Sequence, residues 1–106
     1  MSTALIFRAL ADPTRRQILQ ELRSKEHSAG EITALFEITA PSVSRHLSIL
    51  MGAGLVVSRR DGNRIYYRLE ADALVQSLNE FMSAICPTQI VKRRRMDQQR
   101  SKGTRS

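Results

Sequence analysis

Between Thr39 and Leu55 the chain reads TAPSVSRHLSILMGAGL, in which apolar Val43, Leu47 and Leu50 recur at spacings of four and three. Such spacing puts them on one helical stripe, about 100° or less across, that faces a core. The opposite side carries Ser42, Ser44, Arg45 and Ser48, small polar groups around one long cation, and no carboxylate occurs in the helix. Thr39 can cap the start, Pro41 falls in the first turn, where its missing N–H costs nothing, and Gly52 and Gly54 punctuate the end. Small outer side chains let a helix approach another surface closely. An arginine among them can make the bidentate contact that guanine edges and phosphates accept. A solvated amphipathic helix has the same pattern, so the neighbouring segments decide its meaning.

Upstream, Ala4, Leu5, Phe7, Ala9 and Leu10 form a short apolar segment that reads as a helix ending at Ala11. It has more apolar surface than one face of a short helix can bury. Asp12-Pro13-Thr14 starts a second helix, with Asp12 as cap and Pro13 at the first helical position, running to about Ser24. Its Ile18, Leu19 and Leu22 point inward, and Arg15, Arg16, Glu21 and Arg23 read as a solvated face. Ser28-Ala29-Gly30-Glu31 is a capping box that opens a third helix, for which Ile32, Leu35 and Phe36 supply the buried stripe. Glu37 to Thr39 then connect it to the helix described first. A short helix, a tight turn and a second helix with an open polar face make a helix-turn-helix plan.

After Leu55 the period changes from helical to alternating. Val56 to Arg60, the turn Asp61-Gly62-Asn63 and the strand formers Ile65, Tyr66, Tyr67 and Leu69 predict a β-hairpin. Arg59, Arg60 and Arg64 flank the turn, at the height where a neighbouring phosphate backbone would pass. Alone they would serve only to keep an exposed turn soluble, but directly after a helix-turn-helix the phosphate reading is favoured. Asp72 can cap a last helix carrying Leu74, Val75, Leu78, Phe81, Met82 and Ile85, ending before Pro87. That helix is more apolar than one side of a surface helix requires. With Leu5 and Phe7 of the first helix, its Leu78, Phe81, Met82 and Ile85 predict a subunit interface. The plainer account is that the two helices cover each other within one chain. The expected architecture is mainly α with a small β-hairpin, one domain over residues 1–87 followed by a basic, disordered tail over 88–106.

Composition narrows the function classes. The 106 residues, 42% of them apolar, suit one small domain, which often gains stability by dimerising. The net charge is +7, and it is unevenly spread. Up to Thr88 there are ten basic residues against nine acidic ones; from Gln89 onward there are seven against Asp97 alone. A basic excess suits nucleic acid or an anionic membrane surface. Here it makes the tail either a DNA-grazing arm or a solubilising extension. Cys86 is the only cysteine, so no internal disulfide or thiolate pair can form, which fits a reducing cytoplasm. No apolar run approaches the roughly 20 residues that span a bilayer, and no basic-then-apolar signal segment opens the chain, so no membrane partner is expected. There is no nucleophile–base pair, no glycine-rich phosphate loop and no carboxylate cluster, and His27 sits in a polar connector without a nearby partner. Neither an enzyme nor a cofactor is expected.

ALADPTRRQIL at Ala9 to Leu19, SRHLSIL and AGLV between Ser44 and Val56, and RRDGNRIYYRL from Arg59 to Leu69 closely resemble the ArsR/SmtB family of bacterial winged-helix transcriptional regulators. The resemblance covers about residues 5–86. It implies a homodimeric winged helix-turn-helix of α-α-α-α-β-β-α subunits, with the first and last helices at the interface and the helix from about Ala40 to Met51 in the major groove. By position, Ser42, Ser44, Arg45 and His46 correspond to groove and phosphate contacts, with Ser48 on the same face, and Arg59, Arg60 and Arg64 to the wing. Two departures matter. Metal-sensing members carry a Cys-x-Cys pair where this chain has Thr33, Ala34 and Leu35, and the last helix from Asp72 to Ile85 contains no His. No zinc-competent ligand set remains.

The function expected is a cytoplasmic, nucleoid-associated homodimeric repressor that reads double-stranded DNA at an inverted repeat, without a metal site, and that answers to an unidentified inducer or partner protein. Arg45 would read a base, Ser42, Ser44 and the wing arginines would fix register on phosphates, and His46 would have a quiet packing role. Two other classes stay open: a sequence-indifferent architectural protein driven by the basic tail, and a protein-interaction module on the winged fold.

Overall fold

The computed structural model describes residues 3–86. The expected tail, and the domain boundary placed at residue 87, lie outside the described residues. In chain order the elements are α1 (Thr3–Leu10), α2 (Pro13–Ser24), β1 (His27–Ser28), α3 (Ala29–Phe36), α4 (Ala40–Gly52), β2 (Val56–Asp61), β3 (Arg64–Leu69) and α5 (Ala71–Ile85).

The helix starts follow from local hydrogen-bond chemistry. Asp12 holds an extended backbone and its carboxylate accepts from the Arg15 amide at 3.0 Å, with Pro13 next in line, so α2 begins there. Ser28 and Glu31 close a reciprocal capping box at 2.8 and 3.2 Å at the head of α3. Thr39 accepts from the Ser42 amide at the head of α4. Between α3 and α4, Glu37 takes the left-handed conformation at φ 53° and its amide bonds to the Thr33 carbonyl, which ends α3 and turns the chain.

The chain divides into two compact units, one ending at Leu74 and one beginning at Val75. In the first, Ile6, Ile18, Ile32, Val43, Leu47, Leu50, Leu55 and Val56 are almost wholly buried and bring α1 to α4 and the base of the hairpin onto one core. Leu35, expected in that core, is instead 52% exposed. Ile32 and Phe36 are one helical turn apart and take the inward side. Leu35 is rotated about 100° from Phe36 and falls off the stripe.

The sheet holds three strands in the order β1-β3-β2, all antiparallel. The β2–β3 hairpin is as expected, and its two-residue turn has Gly62 at φ 63°, a conformation in which a Cβ is strained. β1 was not legible in the sequence. Its His27 and Ser28 pair with Tyr67 and Tyr66, so the polar connector is a short strand and His27 is buried, its Nδ1 3.0 Å from the Lys25 carbonyl. The second unit carries the remainder of α5, on which Val75, Phe81, Met82 and Ile85 are exposed and Leu78 is half-buried.

Candidate nucleic-acid interface

The interface is built on α4, which the core holds by one face and which therefore must present the other. Val43, Leu47 and Leu50 are buried, whereas Ser44, Arg45 and Ser48 are exposed. Arg45 has no ion-pair or hydrogen-bond partner among the described residues, so its guanidinium keeps all five N–H donors for an external acceptor. Ser42 is half-buried and tied to the cap, its hydroxyl oxygen accepting from the Thr39 hydroxyl at 3.0 Å. No residue of α4 is acidic, so the helix itself presents no carboxylate to repel a phosphate.

His46 lies at the border of that face, its side chain only 18% exposed. Its Nδ1 is 3.4 Å from Arg15 Nη1 and 3.9 Å from the Asp12 carboxylate. The same Asp12 carboxyl is held below the usual carboxylate range, chiefly by the Arg15 amide it accepts from, with the nearby His46 and Arg15 charges adding to the effect against partial desolvation. Arg16 is exposed, as expected of a solvated face, but Arg15 is half-buried, and both guanidiniums are engaged. Arg15 donates from Nε to the Ala9 carbonyl and from Nη2 to the Arg8 carbonyl, both at 2.8 Å, and Arg16 donates to the Leu10 carbonyl at 2.7 Å. The last turn of a helix has carbonyls without intrahelical partners and a negative dipole end, so two guanidiniums satisfy α1 there.

The three expected wing cations differ in circumstance. Arg59 is taken up by Glu26: its Nε lies 3.0 and 2.9 Å from the two carboxylate oxygens, and Nη2 makes a further bond to the same group. Its guanidinium also stacks 5.0 Å above the Tyr66 ring. This pairing draws the Glu26 carboxyl below its ordinary range and raises Arg59. Cross-strand register sets Arg59 opposite Tyr66, Arg60 opposite Ile65 and Asp61 opposite Arg64. Strand alternation therefore places Arg60 on the opposite face from Arg59 and Arg64. Among the described residues neither Arg60 nor Arg64 has an ion-pair partner.

Residues 12–58, from the Asp12 cap to the start of the hairpin, match the model of the arsR family of bacterial regulatory proteins. The transcriptional repressor SdpR of Bacillus subtilis is 41% identical over 80 residues, which cover 76% of this chain and 89% of that protein. The chain belongs to the ArsR family. An ArsR-like transcriptional regulator from Rhodococcus superimposes with a TM-score of 0.72 at 28% identity, covering 91% of this chain and 90% of the other. A homodimeric winged helix-turn-helix DNA-binding domain from Mycobacterium bovis does so with a TM-score of 0.64 at 32% identity over 76% of each chain. This ArsR-family chain is accordingly a winged helix-turn-helix transcriptional regulator, with α3 and α4 as the helix-turn-helix and β2–β3 as the wing. Among its described residues no three His, Cys, Asp or Glu side chains come together in a way that could hold a metal ion, and no helix is long and apolar enough to cross a membrane.

Proposed function

We propose that this regulator works in the cytoplasm as a homodimer that represses transcription from an inverted-repeat operator, α4 entering the major groove of each half-site. The exposed, carboxylate-free face of α4, with unpartnered Arg45 at its centre, carries this reading. Arg45 reads a base edge, Ser44 and Ser48 allow close approach, and Ser42 with Arg60 and Arg64 fixes register on phosphates. Arg59, held by Glu26, has a smaller part than its neighbours. Dimerisation is supported within each unit separately by apolar exposure: Leu5 at 43% on α1, and Phe81 at 42%, Met82 at 38% and Ile85 at 65% on α5. Phe7 and Leu78, each half-buried, complete the proposed interface. The M. bovis relative is itself described as homodimeric. Release from DNA is proposed to follow a non-metal inducer or a partner protein.

Substitution separates base reading from phosphate positioning. Arg45→Ala is expected to cost about 1–3 kcal/mol on the operator and to relax preference at one base pair per half-site, whereas Arg60→Ala should weaken all sequences alike and reduce the salt slope by about one. Equal losses on operator and random DNA for both variants would contradict the assignment. The seven basic residues that follow Gln89 favour a second reading, sequence-indifferent binding through the tail. In that case binding would survive Arg45→Ala and fail on truncation of residues 88–106.

A further inference from the structure

Arg15 touches three elements with one side chain. Its position on α2 lets Nε and Nη2 grip the Ala9 and Arg8 carbonyls of α1 at 2.8 Å each while Nη1 reaches His46 Nδ1 on α4 at 3.4 Å. Asp12, whose carboxylate caps α2 through the Arg15 amide, stands 3.9 Å from the same imidazole nitrogen. α1 and α4 also meet through the core, but apolar packing is non-directional and admits small rotations and slides of one helix on another. A guanidinium is a rigid planar fork with donors in fixed directions, so it fixes orientation where packing fixes only proximity. As a neutral imidazole, His46 accepts from Arg15 at Nδ1 and carries its ring proton on Nε2.

We propose that Arg15 is a positioning residue that locks the DNA-reading helix to α1 through His46, and so sets the spacing of half-sites that the dimer accepts. The proposal rests on the reading of the chain as a dimeric operator binder with α1 at the subunit interface. A helix fixed to the interface element holds the two reading helices at one separation and one rotation. Moving one half-site by a single base pair displaces it by roughly 3.4 Å and rotates it about 34° around the duplex axis, so a rigid dimer must lose contacts that a looser one keeps.

The test uses the full-length protein and synthetic inverted repeats carrying identical half-sites, with the separation stepped by single base pairs, together with an isolated half-site. Wild type should bind one separation about tenfold or more tighter than its neighbours. Arg15→Gln should retain its half-site preference while the penalty for a one-base-pair step falls to about threefold or less. His46→Leu leaves both α1 carbonyl bonds in place and removes the acceptor at the α4 end. It should flatten the spacing dependence in the same way, and it keeps the test sound if Arg15→Gln folds poorly. A uniform loss of affinity at every separation, with the wild-type spacing penalty intact in the variants that fold, would overturn the proposal and leave Arg15 as a cap for α1 alone. If wild type binds every separation equally while still preferring the half-site sequence, the proposal is overturned and operator reading stands; if it shows no half-site preference either, operator reading itself fails.

Discussion

Arg59 and Arg60 are neighbours in sequence and opposite in circumstance. The first is gripped by the Glu26 carboxylate over the Tyr66 ring, and the second points away on the other face of the hairpin with no ion-pair partner among the described residues. Glu26→Gln would remove the nearer of the two carboxylates at Arg59, leaving Asp61 at 3.9 Å, and free part of a cation on the wing. Binding to operator and to random DNA should then strengthen alike, and the slope of log affinity against log salt should steepen by up to about one. An unchanged slope would mean that Arg59 lies beyond the reach of phosphates. Asp12 gives a prediction about pH. Its carboxyl is held below its ordinary value in the folded chain, so the charged form stabilises the fold above the unfolded-state value, and that contribution is lost as pH falls through the lowered folded value. Asp12→Asn keeps a capping oxygen but not the charge. Denaturant titrations of wild type and Asp12→Asn should therefore differ most near neutrality and converge as pH falls below the ordinary aspartate range. Such caps are readable from sequence because their partners lie three residues away. Arg15 is not, since its acceptors are six and seven residues back and its histidine 31 ahead.

At the scale of elements, the strongest sequence signal and the most buried surface coincide in α4. Val43, Leu47 and Leu50 are each no more than 1% exposed, and with half-buried Ile49 and Met51 they seat the helix on the core. Leu47→Ala should cost about 2–5 kcal/mol of stability, while Ser48→Ala, one residue further on and exposed, should stay within about 0.5 kcal/mol. Thermal unfolding of the two variants checks the polarity of the helix. The starts of α2, α3 and α4 were legible to within about a residue because each has a local cap, whereas α5 begins at Ala71, so that Asp72, expected as its cap, lies inside the first turn. β1 was not, because two residues carry no periodicity, and His27 reads as polar until Tyr67 is placed beside it. Leu35 failed for a related reason: an apolar residue at an allowed spacing counts as core only once the direction of the core is known, and Ile32 and Phe36 set that direction.

For the molecule as a whole, the order of the helices and the helix-turn-helix with its wing, though not β1, were legible in the chain, since capping residues, helical period and an alternating segment around Gly62 occur in the sequence the fold requires. The use to which the surface is put is less local. It depends on which arginines are left unpaired after folding and on apolar side chains that remain exposed on α1 and, separately, on α5. On the proposed function, this regulator reads a specific sequence twice, through α4 of each subunit. The most direct test is selection of random duplexes by the full-length protein at about 150 mM salt, where non-specific binding is already weakened, followed by sequencing of the bound pool. Enrichment of an inverted repeat with half-site centres about one helical turn apart is expected, with preference lost at one base pair per half-site for Arg45→Ala. Retention of DNA without any enriched sequence would contradict it.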